Sequence, residues 1–228
     1  MRKTLDLSAD LVASVHRDIL EPPPDPERIP MSDDDYAHAE DEIIAGLGSQ
    51  SLLVFGYGSL LWKPGFDYVA RWPARAFGWH RSFCMKLNRW RGSDDQPGLM
   101  MALEQGGLCQ GELFSVEPGH EREQIGKLLR REIPYRRLMP GFRWITVRDR
   151  EGSKRALTFY AGMKGDRYFV RVSIHEQAHM LARAAGHGGT GAAYLQQTVA
   201  HLEELGIHDD YLWRLQKLVA AEIRSLAG

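Results

Sequence analysis

The chain has 228 residues, of which 43% are hydrophobic and 26% charged, as in an ordinary globular protein with a sizeable core. Its formal net charge of −1 excludes a global positive field that would attract nucleic acid or an anionic membrane. The two cysteines, Cys84 and Cys109, are too few for a disulfide framework and fit a reducing compartment. The N-terminus lacks the uninterrupted apolar core of a signal peptide, and we expect a cytoplasmic protein.

Residues 1–50 differ in character from the rest of the chain. Apolar positions between Leu5 and Val15 predict a short amphipathic helix, and the proline-rich residues 21–26 predict an extended linker. Ser32 followed by three aspartates predicts a helix that starts there and runs to about Leu47. We therefore expect residues 1–50 to be a helical and linker appendage, and residues 51–228 to form the main domain.

The middle of the chain is typical of β-strands and its last third of helices. Apolar or alternating runs predict strands over residues 52–55, 77–87, 99–103, 109–116, 142–147 and 155–160. One helix is expected among them, over residues 120–133, and three helices follow between residues 174 and 226. The order predicts an α+β fold, with a small curved mixed sheet or β-barrel, surrounding helices and a helical C-terminal third.

The first candidate site is the turn Gly56-Tyr57-Gly58-Ser59, which directly follows a short apolar strand. Glycines let a ligand approach the main chain, and successive free N–H groups can hold an anionic or carbonyl oxygen. The turn has neither the Gly-Lys-Ser/Thr of a P-loop nor the third glycine of a dinucleotide fingerprint. An ordinary strand-ending turn remains the alternative interpretation.

The second candidate is Glu132, in the predicted helix that Pro134 ends. The apolar face of this helix consists of Ile125, Leu128 and Leu129. Glu132 is the next position on that face, where a carboxylate is costly unless it is paired or used. Burial and the negative end of the helix would raise the pKa of Glu132 toward the value that suits a general base. A glutamate at a frayed helix end, or one paired with a buried arginine, remains the alternative.

These residues belong to a longer pattern. It comprises residues 54–64, 78–84, 91–92, 96–98, 106–107, 131–132, 194–195, 205–207 and 209–210. In order and spacing the set resembles the ChaC branch of the γ-glutamylcyclotransferases, over roughly residues 52–226. The first fifty residues lie outside this resemblance.

The resemblance implies a mixed α/β fold around a small barrel and cleavage of a γ-glutamyl amide without water. The products are 5-oxoproline and a free amine, and for this branch the implied substrate is glutathione, which leaves Cys-Gly. The family's catalytic glutamate maps to Glu132. Its substrate loop maps to Val54, Phe55, Gly56, Tyr57, Gly58, Ser59 and Leu60. Where relatives carry a glycine-rich segment after the glutamate, this chain has Ile133-Pro134-Tyr135, which leaves other γ-glutamyl amino acids or amines open as substrates.

In this chemistry the substrate's α-amine attacks its own γ-carbonyl, so the enzyme mainly holds a folded conformer. Glu132 would take a proton from the ammonium and give one to the leaving amine. No metal, nucleotide or flavin is required, and we expect no cofactor. Secondary site candidates are Arg81, Glu123 and Tyr135. The expected partner is a small-molecule substrate, without nucleic acid or membrane, and the oligomeric state is not predicted.

A competing pattern is His175-Glu176-x-x-His179, which matches the H-E-x-x-H of zinc metallohydrolases. It lacks the continuation that would supply a third histidine, and its histidines lie beside the apolar face of their predicted helix. A catalytically inactive binding protein with the same fold is a third alternative. The presence of both the turn and Glu132 argues against that alternative.

Overall fold

The computed structural model describes residues 5–162 and 168–226. The helices are α1 (Ala9–Ala13), α2 (Asp33–Leu47), α3 (Glu121–Glu132), α4 (Ile174–Arg183), α5 (Gly191–Glu204) and α6 (Asp210–Leu226). The strands are β1 (Leu53–Gly56), β2 (Ala70–Leu87), β3 (Gly98–Ser115), β4 (Phe142–Arg148), β5 (Ser153–Phe159), β6 (Ala185–Gly186) and β7 (Gly189–Thr190). Short 3₁₀ helices span Ser59–Leu61 and Arg136–Gly141.

The described residues form two compact units. One takes its described residues from 5–23, Arg81–Ala102 and 168–226, and the other from Pro24–His80 and 103–162. The second, which we call the barrel unit, contains the turn at Gly56 and Glu132. The division of the chain at residue 50 into an appendage and a domain stays a prediction.

Five strands close a small barrel in the order β1-β3-β2-β4-β5. β1 runs antiparallel to β3 and parallel to β5, where Val54 pairs with Leu157. β4 and β5 form an antiparallel hairpin from Phe142↔Phe159 to Arg148↔Ser153. Together with the helices of the last third, this mixed barrel confirms the predicted α+β class.

Two strand predictions differ from the structure. The strand expected over residues 77–87 starts earlier, since β2 begins at Ala70. Residues 99–103 and 109–116, expected as two separate strands, belong to the single long strand β3. The gap between them contains Gly106 and Gly107, which have φ values of 108° and 72°. Glycine adopts such values without a Cβ clash, so the strand continues past them.

In the barrel unit α2 packs against α3. Ser32 caps α2 as predicted, since its hydroxyl accepts a hydrogen bond from Asp35 N–H and the Asp35 carboxylate accepts one from Ser32 N–H. The helix buries Ala39, Ile43 and Leu47 and ends at Gly48, where φ is 65°. The predicted bounds of this helix are therefore confirmed.

The other unit is built from α1, α4, α5 and α6. The amphipathic helix expected between Leu5 and Val15 is shorter than predicted and covers Ala9–Ala13. α4, α5 and α6 carry the buried apolar residues of the unit, among them Leu181, Leu195 and Leu215. Within residues 5–162 and 168–226, no helix is both long and apolar enough to span a membrane.

The same unit holds a buried ion pair that fixes the start of α6. Arg81, of which 1% is exposed, donates a hydrogen bond to Asp209 Oδ2 over 3.0 Å. Asp209 also accepts a hydrogen bond from Leu212 N–H at the first turn of the helix. Removing one member of such a pair leaves an uncompensated buried charge.

We expect Asp209→Ala to lower the free energy of unfolding by about 3–5 kcal/mol, because Arg81 would stay buried without its carboxylate. Urea denaturation at neutral pH measures this change. Asp210→Ala is the matched control, since the Asp210 side chain is exposed and its loss removes only a surface contact with His208. Equal destabilisation by the two variants would contradict the assignment.

Candidate active site

The turn after β1 needs glycine for close packing. A Cβ atom at Gly56 would lie 2.8 Å from Phe114 Cε2, and one at Gly111 would lie 2.3 Å from the Gly56 carbonyl oxygen. Neither Gly56 nor Gly58 has a positive φ. At Gly56 the close approach to the main chain is therefore made by protein atoms, and the expected approach of a ligand to this turn stays a prediction.

After Gly58 the chain turns into the 3₁₀ helix Ser59–Leu61. Leu61 N–H donates to the Gly58 carbonyl, and Lys63 N–H donates to the Ser59 carbonyl. In the part of the chain that the structure describes, no acceptor is bound to the backbone N–H of Gly58, Ser59 or Leu60. Three successive N–H groups without an acceptor can hold an oxyanion or a carboxylate.

Glu132 is the last residue of α3 and lies on its buried face. Ile125, Leu128 and Leu129 are fully buried, and only 14% of the Glu132 side chain is exposed. Burial raises the pKa of Glu132 above the ordinary value of 4.5, and the adjacent Arg131 opposes this rise. The periodicity of α3 therefore placed this carboxylate correctly.

The guanidinium of Arg131 connects Glu132 to the turn. Its Nε donates to Glu132 Oε1 over 2.8 Å, and its Nη2 donates to Ser59 Oγ over 3.0 Å. Its Nη1 donates to the carbonyl oxygen of Lys63, just after the 3₁₀ helix. Among the described residues no donor is bound to Glu132 Oε2, so one carboxylate oxygen stays available to a ligand.

A second connection runs through the end of β5. The Tyr57 hydroxyl donates to the Phe159 carbonyl oxygen over 3.0 Å. The next residue, Tyr160, has a φ of 52° and donates its hydroxyl proton to the main-chain carbonyl of Glu132. The end of β5 is therefore bonded to the turn through the Tyr57 side chain and to the end of α3 through the Glu132 main chain.

The three secondary candidates each have another partner. Arg81 pairs with Asp209, in the unit that does not contain Glu132. Glu123 is 57% exposed and lies 2.8 Å from Lys127 Nζ, which lowers its pKa. Tyr135 forms a β-bridge with Pro30. A role for any of the three at the substrate stays a prediction.

A surface cavity of about 320 Å³ lies beside the start of α3. Its lining consists of Asp67, Tyr68, Val69, Glu117, His120, Glu123 and Gln124. Neither the turn nor Glu132 contributes to it. Lys127 already neutralises two of its carboxylates, since its Nζ lies 2.6 Å from Asp67 Oδ2 and 2.8 Å from Glu123 Oε1.

The H-E-x-x-H residues lie on an exposed part of α4. His175, Glu176 and His179 are all exposed, and His179 Nδ1 lies 3.6 Å from Glu222 Oε2. Over residues 5–162 and 168–226, no three His, Cys, Asp or Glu side chains are grouped as metal ligands. The described residues thus give this pair no third ligand.

Two residues that contact Glu132, Arg131 and Tyr160, were not predicted as site residues from the sequence. Arg131 was one of several arginines near Glu132, and its fork geometry toward three acceptors depends on the fold. Tyr160 was read only as the end of a strand, and its positive φ has no sequence signal. The sequence signal that could have identified Arg131 is its position directly before Glu132 in the same helix.

Most of the chain matches a known protein family. The family model described as "ChaC-like protein" matches residues 52–222. A glutathione-specific γ-glutamylcyclotransferase of Escherichia coli strain K12 is 31% identical over 159 residues, which are 70% of this chain and 68% of that protein. Glutathione-specific γ-glutamylcyclotransferase 1 of Danio rerio is 27% identical over 190 residues, covering 81% of this chain and 96% of that protein.

Among solved structures, the yeast γ-glutamylcyclotransferase specific to glutathione superimposes with a TM-score of 0.65. The superposition covers 75% of this chain and 96% of the yeast chain at 20% identity, which supports the shared fold. The family match spans the barrel strands, the turn and Glu132. The chain therefore belongs to the ChaC-like protein family.

Proposed function

We propose that this chain is a γ-glutamylcyclotransferase that cleaves glutathione to 5-oxoproline and Cys-Gly, with Glu132 as general base. The observation that carries the proposal is the buried Glu132 carboxylate, which Arg131 ties to Ser59 of the glycine turn. The substrate follows from the Escherichia coli and Danio rerio relatives, whose names specify glutathione.

Residues 54–60 would hold the γ-glutamyl part of the substrate. The N–H groups of Gly58, Ser59 and Leu60 are free to bind its α-carboxylate or the oxygen of the reacting γ-carbonyl. Val54 and Phe55 are fully buried in β1 and anchor the strand that leads into the turn. Fixing the folded conformer of the substrate can supply several kcal/mol of the barrier.

The proton transfers would use Glu132 Oε2. The carboxylate removes a proton from the α-ammonium, and the freed amine attacks the γ-carbonyl to form the five-membered ring. Glu132 then gives this proton to the departing cysteine nitrogen as the original amide bond breaks. The second proton, which the ring nitrogen loses on becoming the lactam N–H, passes to the released amine, which leaves as an ammonium. A raised pKa brings the carboxylate closer to the amine in proton affinity, which favours both transfers.

We also infer that the chain works in a reducing compartment such as the cytoplasm. Cys84 and Cys109 are both buried, and neither forms a disulfide. Disulfides form and persist in oxidising compartments, and two cysteines that are not bridged fit the opposite setting. Glutathione as substrate agrees with this location.

Glu132→Gln is expected to fold normally and to lose at least about 10²-fold in 5-oxoproline production, because the amide cannot accept the ammonium proton. Chromatographic measurement of 5-oxoproline from glutathione tests this. Glu121→Gln, at the opposite end of the same helix, is the control and should retain wild-type turnover. Wild-type turnover by Glu132→Gln would refute the assignment, whatever the activity of the variant toward other γ-glutamyl amino acids.

Arg131 should affect the pH dependence of kcat/KM, because its positive charge lowers the pKa of Glu132. The base works only when deprotonated, so kcat/KM should fall with decreasing pH through the Glu132 pKa, at a pH above 4.5. Arg131→Met removes the nearby positive charge and should move this acid limb to still higher pH. Arg131→Lys keeps the charge and should move it less. An acid limb that is unchanged or moves to lower pH in Arg131→Met would contradict this role.

A further inference from the structure

The end of α3 has no glycine cap, although Glu132 stands there. Ile133 follows the helix with a φ of −121°, and Pro134 has no N–H to offer. The last carbonyl groups of a helix need donors from elsewhere when the chain cannot supply them. The groups that donate hydrogen bonds to these last carbonyl oxygens therefore help to fix the position of Glu132.

Three consecutive carbonyl groups at this end each accept a hydrogen bond from outside α3. That of Glu132 accepts from the Tyr160 hydroxyl. That of Ile133 accepts from the Tyr36 hydroxyl over 3.3 Å, and that of Pro134 accepts from Met31 N–H over 3.1 Å. Two of the three donors thus come from the N-terminal segment.

The pairing continues for one more residue. Arg136 N–H donates to the Ile29 carbonyl over 3.0 Å, and Pro30 and Tyr135 form an antiparallel bridge. The Arg136 side chain also donates to Asp35 Oδ2 over 2.7 Å. Residues 29–31 therefore act as a partner strand for the segment that directly follows Glu132.

α2 extends this support along α3. Glu40, whose side chain is 15% exposed, lies 3.4 Å from Arg130 Nη1 and 3.6 Å from Arg122 Nη1. Gly126 makes the contact possible, because a Cβ atom there would lie 2.8 Å from Glu40 Oε1. The Arg130 guanidinium stacks on the Tyr36 ring at 4.6 Å from its centroid.

The far end of α2 is anchored to the barrel. Arg155 on β5 donates to the carbonyl oxygen of Gly46, and its guanidinium lies 4.3 Å from the centroid of the Trp144 ring. A Cβ atom at Gly46 would lie 2.6 Å from Trp144 Nε1, so only glycine allows this approach. α2 is therefore held to β4 and β5 at one end and to α3 along its length.

We propose that residues 28–47, here called the N-terminal brace, are a positioning element that holds Glu132 in its buried, catalytic orientation by fixing the main chain that follows it. The brace lies outside residues 52–222, which match the family. It caps the end of α3 at Ile133-Pro134-Tyr135, where this chain lacks the glycine-rich segment expected after the glutamate. The proposal rests on the proposed function, because it assigns the brace to the base of that reaction.

The test uses substitutions that remove single contacts between the brace and the α3 region and leave the brace itself in the chain. Tyr36→Phe deletes the hydroxyl that caps Ile133 but keeps the ring under Arg130. Glu40→Gln neutralises the carboxylate between Arg122 and Arg130 at equal size. The matched controls are Tyr68→Phe and Glu42→Gln, an exposed glutamate of α2. Steady-state 5-oxoproline production from glutathione is measured between pH 4 and 9 for each variant and for the double brace variant, with circular dichroism to verify folding.

We expect the double brace variant to fold, to lose about tenfold in kcat and to change KM little, because small misplacements of a catalytic group are costly. Its acid limb should move to lower pH, since water reaching Glu132 lowers the pKa of that residue. Arg131, the charged partner of Glu132, and Tyr160, at its main-chain carbonyl, are unchanged in this variant. The two controls should keep the wild-type kcat and acid limb.

An unchanged kcat, or a lower kcat with an unchanged acid limb, would overturn the proposal, because a merely structural element would not alter the hydration of Glu132. Glu132→Gln is measured in the same series to separate the two claims. If Glu132→Gln is inactive and the brace variants behave like wild type, only the brace is wrong. If Glu132→Gln is active, the proposed function itself fails.

Discussion

The Glu132 carboxylate lies at the buried end of α3 with only 14% of its side chain exposed, so burial disfavours its charge and Arg131 compensates only in part. Burial raises the pKa of Glu132, and the hydrogen bond from Arg131 over 2.8 Å pulls that pKa back. A carboxylate in this position must be held accurately, because a small rotation would expose it or break the pair. Much of the surrounding barrel unit serves that requirement.

The supporting contacts come from separate parts of the sequence. Arg131 links the carboxylate to Ser59, and Tyr160 links the Glu132 main chain to the end of β5, next to the residue that Tyr57 contacts. The turn and Glu132 thus share two independent connections, although 73 residues separate Ser59 from Glu132 along the chain. The barrel fold is what brings the two together, since β1 precedes the turn and β5 is its parallel neighbour.

Much of this arrangement could be predicted from the sequence because its signals are local. Glu132 follows the buried residues of α3 at helical spacing, and Ser32 with its aspartates marks the start of α2. Local signals failed where a distant contact decides the outcome. The sequence predicts separate strands over residues 99–103 and 109–116, yet β3 runs through both, because the positive φ values of Gly106 and Gly107 between them do not end the strand.

The same limit applies to the site. The sequence left open a pairing of Glu132 with a buried arginine but did not identify Arg131, whose contacts with Ser59 and Lys63 depend on how the turn lies against α3. The contact between Tyr36 and Ile133 joins residues 97 apart, and no periodicity reports it. Such long-range hydrogen bonds between a side chain and a carbonyl require the folded chain.

The pKa of Glu132 in the intact chain tests the account most directly. Glutamate labelled with ¹³C at the carboxyl carbon can be titrated by NMR, and the Glu132 signal is identified by its absence in Glu132→Gln. The account predicts a titration midpoint above 4.5, the ordinary value for glutamate. A midpoint at or below 4.5 would mean that the carboxylate is hydrated or dominated by Arg131, and would contradict its role as a desolvated general base.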